Sequence, residues 1–249
     1  MFYRLVAAHN YPKETDAAKA LGELLNDARR GEHIPFGAIR DDGIVIGHDP
    51  GFESVADFDA AVRNTANKYR LDGRLGQPVT LELYCEAAGM VPQLQAVADS
   101  YGVPVTSSGG FNSVTGKHAL AGQIANDDRP TVVLQVGDHD ASGCSIIDSL
   151  ASDTTKFVEQ MGGKYVPTFH RIAITPEQID LYGVVTSPPK DSDKRGDFAG
   201  PTAQAEALPP DLLAQVVRDA LTEHVDLDIL EATREREQQE RAEILENLK

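Results

Sequence analysis

Cysteine is scarce in this chain and tryptophan is missing: Cys85 and Cys144 are the only thiols among 249 residues. That usage suggests no disulfide framework, and the pair lacks the spacing of a zinc site. No apolar run is long enough to span a bilayer and no basic-then-apolar leader opens the chain, so a cytoplasmic protein is expected. Positive charge is also short, with 23 Lys and Arg against 39 Asp and Glu, a net charge of -16. This argues against a general nucleic-acid coat protein, which needs clustered cations. The deficit is deepest from residue 202 onward, so any nucleic-acid surface is expected toward the N-terminal half, with a solvated, acidic C-terminal tail. Internal repeats are absent.

The length suits one large α/β domain or a core domain with an appendage. Three regions separate. In 1–75, "TDAAKALGELLNDARRG" and "SVADFDAAVRNTANKYR" carry apolar residues at helical spacing, and "HIPFGAIRDDGIVIG" alternates like a small β-wing, which together suggest a winged-helix-like module. In 76–185, strand-like runs ("VTLELYCE", "VPVTSS", "TVVLQVGD", "KYVPTFHRIAI") alternate with helix-like ones. That order predicts a mainly parallel sheet covered on both faces, a Rossmann-like α/β architecture. No G-x-G-x-x-G follows the first strand, so a dinucleotide is not implied. A short helix is expected at "TPEQIDLYG", with Thr175 as N-cap, Pro176 in the first turn and Gly183 closing it. In 186–249, a polar Pro/Gly-rich loop precedes "LPPDLLAQVVRDALTEHV", an amphipathic helix, and a charged final segment reads as a solvated helix with i to i+4 ion pairs.

The chemistry concentrates at strand ends. Glu86 closes "VTLELYCE", and Asp138 and Asp140 stand at the end of "TVVLQVGD". Ligands of open parallel sheets gather at the carboxyl ends of strands. If these two strands are neighbours, three carboxylates converge and repel one another unless a cation joins them, and all-oxygen ligation suits Mg²⁺. Gly137 and Gly143 are expected to permit tight turns, Ser142 to cap the following helix, and His139 to point away. The competing reading is simpler: aspartates after strands often serve only as turn formers and helix caps. In "SSGGFNS", Gly109 and Gly110 could admit a phosphate or form a plain turn.

A glutamate after the first strand ("YCEAAG"), a glycine turn after the second ("SSGGFNS") and D-x-D-x-x-G after the third ("GDHDASG") together resemble the Toprim domain, a metal-binding α/β module. The flanks "FYRLVAAHNYPKETDAAKALGELLNDARRGEHIPFGAI", "FHRIAITPEQIDLYGV" and "AEALPPDLLAQVVRDAL" resemble topoisomerase VI A-subunit-like proteins, especially their small phage and bacterial stand-alone relatives. The resemblance covers nearly the whole chain. It implies Mg²⁺ held by Glu86, Asp138 and Asp140, and DNA as partner. It also implies a homodimer, and an ATPase partner subunit is conceivable. Tyr3 matches the tyrosine that attacks the DNA phosphodiester, leaving protein on a 5′ end. Tyrosine ordinarily titrates near pH 10, so a neighbouring cation must favour its phenolate. Arg4, Arg29 and Arg30 are candidate phosphate contacts.

The sequence departs from the family in two places. The family has an arginine and most of a helix before the aromatic pair, whereas this chain opens at Met1, so either the true start lies upstream or the module is truncated. "AAG" follows Glu86 where charged residues are common, which weakens the case for phosphate contacts there. Three functions stand as expectations: a Mg²⁺-dependent DNA-cleaving transesterase, a Toprim nuclease using metal-activated water, and a non-catalytic DNA-binding or assembly protein. Tyr3 is a nucleophile under the first and a core residue otherwise.

Overall fold

The computed structural model describes residues 2–35, 38–39, 51–107, 113–188, 198 and 200–248. They fall into two compact units, Met1–Arg70 with Gln238–Lys249, and Leu71–Glu237. Among the described residues no helix is long and apolar enough to cross a membrane.

The first unit contains α1 (Phe2–His9), α2 (Thr15–Arg30), α3 (Val55–Asn67) and the end of α9 (Leu227–Asn247). Leu21 buries the apolar stripe of α2, while Arg29 and Arg30 in its last turn complement the negative end of its dipole. Ser54 caps α3 by accepting the Asp57 N–H at 3.0 Å. The chain after α3 is tied to α9: Arg241 donates to the Tyr69 carbonyl at 2.7 Å, and the Tyr69 hydroxyl donates to Glu240. The expected wing over 33–47 falls largely on 36–37 and 40–50, outside the described residues.

The second unit is built on four parallel strands: β1 (Thr80–Cys85), β2 (Val105–Ser107), β3 (Thr131–Val136) and β4 (Thr168–Ala173), in the order β2-β1-β3-β4. Helices α4 (Val91–Ala98), α5 (Val114–Ala125) and α6 (Ala141–Gln160) connect them in turn. Period-two alternation decides which side chain meets which layer. Leu81, Leu83, Cys85, Val132, Leu134 and Val136 enter one cluster, where they join Leu94 of α4. Tyr84 and Val133 enter another with Leu120, Ala121 and Ile124 of α5 and Leu150 and Val158 of α6. Every residue of β3 is buried, as a central parallel strand covered on both faces requires. Each fully buried leucine, such as Leu83 at 0% exposure, contributes roughly 1.5–3 kcal/mol to the stability of this arrangement. The buried Lys117 crosses from α5 to the partly exposed Asp153 carboxylate of α6 at 2.7 Å, an ion pair joining these helices.

Beyond β4, α7 (Pro176–Tyr182) has the expected Thr175 cap, completed into a reciprocal box by Gln178, and ends at left-handed Gly183. The region expected to be only loop contains two short antiparallel strands, β5 (Thr186–Ser187) and β6 (Thr202–Ala203). Pairing with non-local backbone, invisible to periodicity, makes them strands. Next comes α8 (Pro210–Thr222), whose Leu213, Val217 and Leu221 recur every four residues and enter the cluster of Leu83 and Leu134. The second unit is thus an α/β layer with a helical C-terminal part.

Candidate functional site at the carboxyl edge of the sheet

β1 and β3 are direct neighbours with Cys85 opposite Val136, so the segments leaving them emerge side by side. The Glu86 N–H continues the ladder to the Val136 carbonyl at 3.0 Å. In return the Glu86 carboxylate accepts the Asp138 N–H at 3.1 Å, so the first acid is held against the backbone of the second. Asp138 accepts the Ala205 N–H at 2.9 Å through one oxygen. Burial pushes its carboxyl up to about 6, and the negative charges of Glu86, Asp140 and Glu206 add to the rise against that Ala205 bond.

Asp140 has a local task as well. It is the N-cap of α6, accepting the Gly143 N–H at 2.7 Å. The cap expected of Ser142 is therefore supplied two residues earlier, since α6 already begins at Ala141. The glycines also act differently from expectation: neither Gly137 nor Gly143 lies in the left-handed region. What they provide is closeness. A Cβ on Gly143 would collide with the Asp138 carbonyl and stand 3.0 Å from the Glu86 carboxylate.

His139 is turned to a separate use. Its backbone pairs with Ala203 in both directions, N–H to carbonyl at 2.8 Å and carbonyl to N–H at 3.0 Å. Its ring meets Phe198 edge-on with centroids 5.0 Å apart. This bridge brings β6 and the following turn, with Glu206, to the acidic edge.

Three participants escaped the sequence reading. Glu206 lies far along the chain in "AQAEALPP", and its proximity comes from tertiary pairing, the His139–Ala203 bridge and the Ala205 N–H bonded to Asp138. Arg171, near the end of β4, donates to the Gly137 carbonyl at 2.8 Å, to the Asp138 carbonyl, and to the Ile174 carbonyl at 3.2 Å. It thereby braces the loop that carries the aspartates, and a charged residue inside the strand pattern "TFHRIA" was its available signal. Gln135 is 1% exposed, and neither end of its carboxamide has a partner among the described residues. Its amide nitrogen and the Glu86 carboxylate crowd the same side of Gly137.

The donor set suits a hard cation in chemistry, being carboxylate oxygen throughout. Its arrangement is not a preformed cage: among the described residues no three His, Cys, Asp or Glu side chains are gathered closely enough to hold a metal ion. The backbone bonds named above occupy one oxygen each of Glu86, Asp138 and Asp140.

The remaining expected site residues lie elsewhere. Tyr3 is partly buried on α1, its ring edge-on to Phe2 at 5.3 Å between centroids and 5.9 Å from the Lys13 ammonium. Phe2 in turn meets Tyr11 at 6.0 Å. Arg30 pairs with Asp27 at 2.8 Å on the surface of α2, and Arg29 is partly buried beside it. Gly109, Gly110 and the side chain of Arg4 lie outside the described residues. No protein-family model matches the chain, and no curated protein matches it.

Proposed function

We propose that this protein is a Mg²⁺-dependent, DNA-binding and strand-cleaving transesterase of the topoisomerase VI A type, with a Toprim domain over 76–185 and a winged-helix module before it. The observation that carries the reading is that Glu86 and Asp138 leave adjacent parallel strands at their carboxyl ends and are joined there by the Asp138 N–H on the Glu86 carboxylate, with the charges of Asp140 and Glu206 also acting on the half-buried Asp138 carboxyl. Such a concentration of negative charge favours a cation. Gln135, buried and unpartnered beside Glu86, is a second polar group at that edge with capacity to spare.

In this reading Glu86, Asp138 and Asp140 would hold Mg²⁺, which would supply charge stabilisation to the scissile phosphate. Arg171 holds the Gly137 and Asp138 carbonyls and so keeps the loop in place. Tyr3 attacks the phosphorus through its phenolic oxygen and loses its proton. The bond to the 3′ oxygen breaks, that oxygen takes up a proton, and the protein is left on the 5′ phosphate. Cleavage of both strands calls for two copies, hence a homodimer, and strand passage would need an ATPase partner.

Incubation with supercoiled plasmid tests this reading. Wild-type protein with Mg²⁺ is expected to give nicked or linear DNA carrying covalent protein, while EDTA and Asp138→Asn abolish cleavage and Tyr3→Phe abolishes the adduct. Cleavage that survives Asp138→Asn rules out the metal-site assignment. Undiminished cleavage without adducts in Tyr3→Phe assigns the attack to water. Salt-dependent binding with no cleavage identifies a non-catalytic DNA-binding protein.

A further inference from the structure

Away from the acidic edge, a cavity of about 410 Å³ opens on the face of β1 beneath α5, lined among others by Glu82, Tyr84, Pro104, Thr106, Leu120 and Ile124. Its origin is topological. The edge strand β2 reaches only Leu83, Tyr84 and Cys85 of β1, so the first half of β1 has no strand beside it on that side among the described residues. Thr80, Glu82 and Tyr84 share one face of the strand by alternation. The volume falls in the range of small-molecule sites, about 300–1,000 Å³.

Charge bookkeeping around the cavity isolates one group. Arg74 is bound to Asp72 at 2.8 Å. Asp127 is bound to Arg129 at 2.8 Å and accepts the Thr80 hydroxyl at 2.7 Å. Glu82 has no hydrogen bond or ion pair among the described residues, although it is partly buried and Pro104, Leu120 and Ile124 are among the residues of its cavity. A carboxyl group so placed lacks the donors that normally accompany burial.

We propose that this cavity binds a small organic cation, a primary ammonium or amidinium with a short apolar body, whose N–H donors pair with Glu82 while Pro104, Leu120 and Ile124 enclose its carbon skeleton. An anion would face an unpaired carboxylate, and a hard metal ion would find only one carboxylate not already engaged by an arginine. A neutral ligand of the same shape forgoes the charge-assisted bond, the strongest contact the cavity offers.

Burial pushes the Glu82 carboxyl up to about 7, with Arg74 pulling it partly back. The other titratable groups of the lining hold one charge state near neutrality. Asp127 is kept below the ordinary carboxylate range by its bonds from Arg129 and Thr80, which outweigh the opposing effect of burial. Arg74 is raised by Asp72, and burial pushes the Tyr84 hydroxyl above its usual value. Cation binding therefore draws a proton off Glu82 near or below neutral pH.

Isothermal titration calorimetry of the full chain with benzamidine and n-butylamine tests the proposal, with benzyl alcohol as the neutral counterpart. One site is expected, roughly tenfold weaker a pH unit below the Glu82 value than above it, with proton release that tracks buffer ionisation enthalpy. Glu82→Gln should weaken the amines by about tenfold or more while the variant melts no lower than wild type, because a buried charge is removed. Gln123→Trp, which adds bulk to the cavity wall from α5 and keeps the Glu82 carboxylate, should also abolish binding. Equal affinity of Glu82→Gln and wild type, benzyl alcohol binding as tightly as benzamidine, or no heat from either amine would each overturn the assignment.

Discussion

Asp138 shows how a residue's environment can set it against its own charge. Its carboxyl titrates near 6 in the fold against an ordinary 3.8 because burial and three acidic neighbours disfavour the anion. The folded carboxyl holds its proton more tightly than the unfolded one, so its contribution to stability is complete below about pH 4 and lost as pH rises through about 6. Asp138→Asn keeps an oxygen for the Ala205 N–H and removes the charge. Urea unfolding is expected to give equal stabilities for variant and wild type near pH 4, and a variant more stable by roughly 2 kcal/mol near pH 7. A wild type more stable than the variant at neutral pH would contradict the charge crowding around Asp138.

Among the elements, α6 is the one whose start is also the site. Asp140 caps it through the Gly143 N–H, and one carboxylate thus serves both local structure and the acidic edge. The two roles separate by substitution. Asp140→Ala should cost about 1 kcal/mol from the lost cap, and Asp140→Ser should recover most of it because a hydroxyl can accept the same N–H. In the proposed reaction both variants lose cleavage, since neither retains a carboxylate. Chemical denaturation combined with the plasmid assay distinguishes the outcomes: a fully active Asp140→Ser would reduce Asp140 to a cap. The brace from Arg171 belongs to the same scale, tying the end of β4 to the loop between β3 and α6 through backbone carbonyls.

For the whole molecule, the sheet of the second unit has two covered faces. On one of them α8 packs against the cluster of Leu83 and Leu134. Leu213, 1% exposed, is therefore as much a core residue as those in the strands. Leu213→Ala should lower unfolding stability by about 2–5 kcal/mol, measured by urea or thermal denaturation. A cost below about 0.5 kcal/mol, as for a surface position, would mean that α8 is not part of this core.

Alternation and helical spacing were enough, in the sequence alone, to locate β1, β2, β3 and β4 with their connecting helices, because each element writes its own period into neighbouring residues. The Thr175 cap and Gly183 terminator were legible for the same local reason, as was the placement of Glu86, Asp138 and Asp140 at strand ends. Tertiary structure decided what depends on distant chain. It set β1 beside β3, so that Glu86 and Asp138 leave the sheet side by side, and brought β6 to His139, so that Glu206 comes near the same edge. The register across the strands set Arg171 level with Gln135 beneath the acidic loop, and a short β2 left the Glu82 cavity open. No periodicity records such pairings, since they are made by backbone hydrogen bonds and burial between segments that share no local sequence signal.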